Sequence, residues 1–130
     1  MRALEPVTAL RVVASEEALD AAPWTEGTIV LRFASDDAFV LGVSDDQVAD
    51  GHAIVARESG FTGAWLTREE LEDRVLPHIE WTVPTGRPAL AQGLIAGVPA
   101  KLWLEEDRAL LLCAAAYAHE LAERLGFAVG

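Results

Sequence analysis

Four residues near the middle of the chain have the chemistry of a carboxylate-binding pocket: Trp65, His78, Trp81 and Arg87. Trp65 precedes a predicted helix and Trp81 follows it, close in sequence to His78 and Arg87. A guanidinium presents a planar fork of N–H donors that fits a carboxylate, and tryptophan is enriched at interface hot spots. These four side chains are the predicted ligand-binding site, with packing of both tryptophans in the core or at its rim as the alternative.

The remaining reactive residue types lack the spacing of a catalytic or metal centre. The histidines His52, His78 and His119 form no His-x-His or His-x-x-x-His pair, and a zinc site needs several converging ligands. His52 lies near Asp50 in the sequence, and the Asp50 carboxylate is a possible partner for its imidazole. The position of His119 on its helix favours a place on the surface. Cys113, the one cysteine, has no neighbouring base, which favours a buried thiol over a nucleophile. We therefore expect no catalytic residue, no metal and no cofactor, and predict that the protein is not an enzyme.

The charge of the chain argues against two classes of partner. It has 21 acidic and 10 basic residues, for a formal net charge of −11, and such a field repels nucleic acid and anionic membranes. No apolar run reaches the roughly 18–20 residues that a membrane span requires. Glu5 and Pro6 stand where the apolar centre of a signal peptide would begin. The sequence predicts a cytoplasmic protein that binds neither nucleic acid nor membrane.

The last third of the chain gives the clearest prediction of secondary structure. Three apolar segments separated by Gly97 and by a polar turn indicate three successive strands. A helix follows, with Tyr117, Leu121 and Leu125 as its packing stripe and Gly126 as the left-handed residue that ends it. The predicted strands cover residues 89–95, 100–104 and 109–113, and the helix covers 115–125.

The preceding residues predict more strands and two shorter helices. Ser15 can cap a helical turn, and Thr67 with Glu70 has the spacing of a capping box that opens a second helix, which Pro77 shortens or kinks. An acidic loop at 44–51 is the predicted mobile segment. The predicted strands are 6–13, 28–33, 39–43, 52–57 and 61–66, the last being a continuation or a partner of the fourth, and the first helix covers 16–22.

This order of elements predicts one domain, residues 1–130, of the α+β class. Strands followed by helices in two blocks favour a mainly antiparallel sheet with two helices on one face. One possible organisation of this domain is two similar halves, but the two halves differ too much in sequence to establish a repeat.

The C-terminal half also resembles a known family. Residues 91–103, the apolar run 110–112 and the tyrosine-marked helix at 117–121 are similar to the closing module of sarcosine oxidase gamma subunits and of the aminomethyltransferase family, which includes the glycine-cleavage T protein. Residues 52–79 correspond to the strand and helix before that module. The resemblance implies two ferredoxin-like halves and, from the gamma subunits, a non-catalytic role inside a larger flavoenzyme. No residue here matches a folate-contacting position of that family, and likeness of fold alone does not transfer an activity.

Two functions follow as hypotheses. The first is a non-catalytic accessory or interaction subunit, bound to a protein partner or to further copies of itself. The second is a domain that binds a small carboxylate or folate-like molecule through Trp65, His78, Trp81 and Arg87.

Overall fold

Antiparallel sheet dominates the computed structural model, which describes residues 2–130. Strands account for 46% of the chain and helices for 22%, which confirms the α+β class with a mainly antiparallel sheet. The chain divides into two compact units. The larger unit contains the residues through Val7 and Gly60–Gly130, and the smaller contains Thr8–Ser59.

Four antiparallel strands form the sheet of the larger unit, in the order β4-β7-β6-β5. The three strands predicted in the last third of the chain are confirmed. Ala96 and Gly97, with φ of 51° and 79°, make the two-residue turn between β5 and β6. Such a turn needs positive φ at both positions, which glycine adopts without strain. Ala128–Val129 (β8) pairs in parallel with the start of β1. The bounds of the four main strands are Ile54–Thr67 (β4), Ala89–Ile95 (β5), Val98–Leu104 (β6) and Arg108–Ala114 (β7).

The helix after β4 begins as the sequence predicts. The Thr67 hydroxyl accepts a hydrogen bond from the Glu70 amide, and the Glu70 carboxylate accepts one from the Thr67 amide, so the capping box is present. The helix is irregular beyond its first turn because Pro77 cannot continue the hydrogen-bond ladder. It runs as α2 (Arg68–Glu70), a π-helical turn (Leu71–Val75) and a 3₁₀ turn (Leu76–His78).

The last helix, α3 (Ala118–Leu125), follows a 3₁₀ turn at Ala115–Tyr117. Leu121 and Leu125 are buried as predicted, but the side chain of Tyr117 is 42% exposed, so the predicted stripe is wrong at that residue. The 3₁₀ turn rotates Tyr117 out of the helical repeat, and Ala118 and Ala122 complete the buried face instead. Gly126 ends the helix with φ of 76°, as predicted.

Both of these helical segments pack against the same side of the larger unit's sheet. Leu71 and Val75 from the first, and Leu121 and Leu125 from the second, share one core with alternate residues of the strands. The organisation nevertheless differs from a ferredoxin-like half, in which the strands on either side of a helix are parallel. Here β4 and β5 run in opposite directions, because three antiparallel pairings separate them.

The smaller unit contains a hairpin and a third helix. The strands predicted at 28–33 and 39–43 pair as an antiparallel hairpin, with its turn at Ser35 and Asp36 and with Leu31 fully buried. Ser15 caps the helix through the Ala18 amide, as predicted. Its elements are β2 (Ile29–Ala34), β3 (Asp37–Leu41), α1 (Glu16–Ala21) and the second part of β1 (Ala3–Val13), which pairs with β3.

Candidate functional site

The four residues predicted as a site lie in different surroundings. Trp65 on β4 lines a groove of about 280 Å³ together with Arg2 and Glu5. His78 is exposed and lines a second groove, of about 360 Å³, near the β5–β6 turn. Arg87 lines a third, smaller cleft just before β5.

Trp81 has a packing role in the larger unit. Its indole N–H donates a 2.7 Å hydrogen bond to the Leu94 carbonyl, and its ring packs against the core. The ring lies so close to Gly93 that a β-carbon there would come within 2.6 Å of it. Gly93 is therefore the residue that lets Trp81 lie flat against β5.

The cleft that contains Arg87 is lined by three arginines and three glutamates, and we call it the arginine cleft. It lies where β4 and β6 end and where β5 and β7 begin, because alternate strands of an antiparallel sheet terminate at the same end. Its volume is about 80 Å³. Its lining residues are Arg68, Leu71, Glu72, Leu76, Arg87, Glu105, Glu106 and Arg108.

Arg108 is held firmly in this cleft. Its guanidinium carbon lies 3.7 Å from the centre of the Trp65 ring, a cation–π contact, and its Nε donates a 2.8 Å hydrogen bond to Glu105. Glu105 also accepts a 2.8 Å hydrogen bond from the Trp103 indole. Partial burial disfavours the charged form of Glu105, but the hydrogen bonds from Arg108 and Trp103 outweigh it and lower the pKa of this carboxyl.

Arg87 is the least neutralised cation of the cleft. Its Nη1 donates 2.8 Å hydrogen bonds to the carbonyls of Pro84 and Gly86, which fix the guanidinium against its own loop. Within residues 2–130, no carboxylate lies within 4.0 Å of it. Arg68 has only a 3.8 Å ion pair with Glu72, and both side chains are well exposed.

Sequence reasoning identified Arg87 but missed the other two arginines of the cleft. Arg68 stood inside the capping-box motif and Arg108 at the end of a polar turn, so each already had a local explanation. The signal available in the sequence was their position at strand ends: Arg68 follows β4 and Arg108 begins β7. Adjacent antiparallel strands bring such positions together.

A second unusual surface lies in the smaller unit, on the first half of β4, residues 54–59. In this segment, which we call the exposed half of β4, every residue except Glu58 is exposed, and Ile54 is 67% exposed. The residues of β4 that pair with β7 are 61–67. Arg11 of β1 holds Glu58 through a 3.0 Å ion pair.

The other candidate residues have structural explanations. The Asp50 carboxylate accepts hydrogen bonds from the backbone amides of His52 and Ser15 rather than from the imidazole, and these lower its pKa. Cys113 is 2% exposed, as predicted for a buried thiol, and burial raises the pKa of the thiol to about 11, which disfavours the reactive thiolate. His119 is exposed, as its helical position predicted. Among residues 2–130 there is no group of three or more histidine, cysteine, aspartate or glutamate residues arranged to hold a metal ion.

The chain matches no protein-family model, no curated protein and no solved structure. The resemblance to sarcosine oxidase gamma subunits and aminomethyltransferases therefore stays a prediction. Of the helices in the described part of the chain, none has both the length and the apolar character needed to cross a membrane.

Proposed function

We propose that this protein is a non-catalytic interaction subunit, and that it binds through the exposed half of β4. The observation that supports the proposal is that a strand segment of this length has nearly every residue exposed, including an isoleucine at 67%. Val55 on the same segment and Val13 at the end of β1 are also large apolar side chains with considerable exposure. Successive residues of a strand point to opposite faces, so this segment exposes an apolar side chain on each face, and exposed apolar surface marks protein interaction sites.

Strand pairing is the mode of binding that this segment favours. β1 lies on one edge of β4, and the residues that pair with β7 on the other edge begin at Phe61. An uncovered strand edge offers backbone N–H and C=O groups to another strand. The added strand supplies backbone hydrogen bonds, and Ile54 and Val55 supply apolar contact area.

The partner we propose is a second copy of this chain. Arg57 and Glu58 give the segment no net charge, whereas the whole chain carries −11. Two copies that meet at this segment therefore add no local repulsion between like charges there. Antiparallel pairing of the same segment in both copies gives a two-fold symmetric dimer, the commonest form of homo-oligomer. In this proposal the dimer, and not the single chain, is the accessory subunit of a larger assembly.

Sedimentation and light scattering test this proposal. The wild-type protein is expected to dimerise with increasing concentration, and more readily in higher salt, because salt screens the repulsion between the two acidic chains. Ile54→Lys places a charge in the contact and is expected to leave a monomer. Leu94→Lys is the matched control, because Leu94 is a comparably exposed leucine of the larger unit, 55% exposed, and this variant is expected to dimerise normally. A wild-type protein that stays monomeric at every concentration, or equal disruption by both variants, contradicts the proposal.

A further inference from the structure

We propose that the arginine cleft binds a carboxylate group of a separate molecule. This is a second binding site, in the larger unit, and it does not depend on the dimer proposed above. It retains Arg87 from the site predicted on the sequence, and it replaces His78 and Trp81 by Arg68 and Arg108.

The distribution of charge is the first argument. The chain has only 10 basic residues against 21 acidic ones, yet in this small cleft three arginines balance three glutamates. Among the arginines that form an ion pair, most hold a carboxylate at 3.0 Å or closer, as Arg2 does with Glu70. Arg87 departs from that pattern, because only backbone carbonyls accept from it.

The second argument is that Arg108 and Arg87 are already oriented. Arg108 is fixed between the Trp65 ring and Glu105. Arg87 uses only Nη1 for its loop, so Nε and Nη2 make no hydrogen bond with residues 2–130 and are available as a donor pair. A guanidinium fork held in place loses little side-chain entropy when it binds a carboxylate in bidentate fashion.

Size and charge select a carboxylate from the possible anions. A volume of about 80 Å³ accommodates a carboxylate with one or two carbon atoms and leaves the body of a larger ligand outside. Glu72, Glu105 and Glu106 line the same cleft, and they repel a phosphate dianion more strongly than a carboxylate with one charge. Of these acids, Glu106 makes no ion pair within residues 2–130, so its charge opposes a bound anion without being offset by an arginine.

The test uses acetate as the probe, with sodium chloride as the reference salt at equal ionic strength. Acetate is expected to shift the ¹⁵N-detected side-chain signals of Arg87 and Arg108 and the Trp65 indole signal along one saturable curve. Arg87→Ala is expected to weaken acetate binding about tenfold or more, the effect of losing one charge-assisted bidentate contact. Arg74→Ala is the matched control, since it removes the same charge from an exposed arginine of the larger unit that does not line the cleft; it is expected to bind acetate like the wild type.

Further arms make the outcome decisive. Arg87→Lys keeps the charge without the fork and is expected to bind more weakly than the wild type, whereas Glu106→Gln is expected to bind more tightly. N-acetylglycine, compared with its amide and with acetate, identifies the source of the carboxylate. If the acid binds more tightly than acetate, the site binds the end of a peptide chain. If it binds more weakly, the site binds a free small carboxylate. Shifts that do not saturate, equal binding by Arg87→Ala and Arg74→Ala, or inorganic phosphate binding more tightly than acetate overturns the proposal.

Discussion

The guanidinium of Arg108 lies over the ring of Trp65, 3.7 Å from the ring centre, and so connects a residue at the start of β7 with one on β4. Their register places them on the same side of the sheet, because Thr67 pairs with Arg108 and Trp65 pairs with Leu110. Glu105 completes the arrangement by accepting hydrogen bonds from both Arg108 and Trp103. One arginine thus joins a strand, a turn and a tryptophan at the end of the sheet where the arginine cleft opens.

Replacing Arg108 by glutamine tests the strength of this contact. We expect the free energy of unfolding to fall by about 1 kcal/mol, since a partly exposed cation–π contact and an exposed ion pair each contribute up to about 1 kcal/mol and share one side chain. Urea denaturation measures the change. Arg68→Gln is the control, because its ion pair with Glu72 is long and exposed, and a change of similar size there would contradict the assignment.

Glu70 gives the protein a predictable response to acid. The carboxylate accepts two hydrogen bonds from the Arg2 guanidinium, at 2.7 and 3.1 Å, and one from the Thr67 amide, and these lower its pKa from 4.5 to about 2. The folded state thus binds the Glu70 proton more weakly than the unfolded state does. The resulting stabilisation is complete above about pH 4.5 and is lost as the pH falls toward about 2.

The variant Glu70→Gln isolates this effect, since glutamine can still complete the capping box. The pKa displacement corresponds to about 3 kcal/mol, and solvent screening around the 40% exposed Arg2 side chain reduces the expected loss at pH 7 to about 1–2 kcal/mol. The difference between wild type and variant should disappear by about pH 2 in acid denaturation followed by circular dichroism. Glu69→Gln provides the control, and a wild-type difference that stayed constant from pH 7 to pH 2 would be inconsistent with this account.

Local patterns predicted much of the fold. Alternation of apolar residues located β5, β6 and β7, and the spacing of Thr67 and Glu70 located the capping box, because both signals depend on contacts between residues close in sequence. The single strand β4 was harder to predict, because Gly60 reads as a break between two strands when its partners are unknown. Whether residues 54–60 and 61–67 share a strand is decided by the pairing with β1 and β7, which connects residues far apart in the chain.

The arginine cleft shows the same limit for the candidate site. Arg87 was recognisable because it follows a glycine in a stiff connector near Trp81. Its grouping with Arg68 and Arg108 depends on which strand ends meet, and the strand order β4-β7-β6-β5 does not follow the sequence order. His78 and Trp81 are close to Arg87 in sequence, but the 3₁₀ turn and the loop after it direct them toward the β5–β6 turn.

Leu121 and Tyr117 form a matched pair for testing the core of the larger unit. Leu121 is fully buried and Tyr117 is 42% exposed, although both fall on the stripe that the sequence predicts. Leu121→Ala should lower the free energy of unfolding by about 2–4 kcal/mol, because it removes buried methyl groups and leaves a cavity. Tyr117→Ala should change it by less than about 0.5 kcal/mol. Equal losses in thermal or urea unfolding would mean that the 3₁₀ turn does not place Tyr117 outside the core.

Gly63 allows β4 to lie close to β7, because glycine has no β-carbon. A β-carbon at this buried position would lie 2.0 Å from the Leu111 carbonyl oxygen and 2.9 Å from the Leu112 side chain. The nearest atom belongs to the backbone of a paired strand, so relief requires the two strands to separate along their hydrogen bonds. Gly63→Ala is therefore expected to cost about 3 kcal/mol, the upper part of the range for an overpacked core, and to reduce the yield of folded protein. Gly86→Ala is the control, because a β-carbon there would meet nothing within 4 Å. Urea denaturation of both variants decides the point: if Gly63→Ala is as stable as Gly86→Ala, the close packing of β4 against β7 is not what requires glycine at this position.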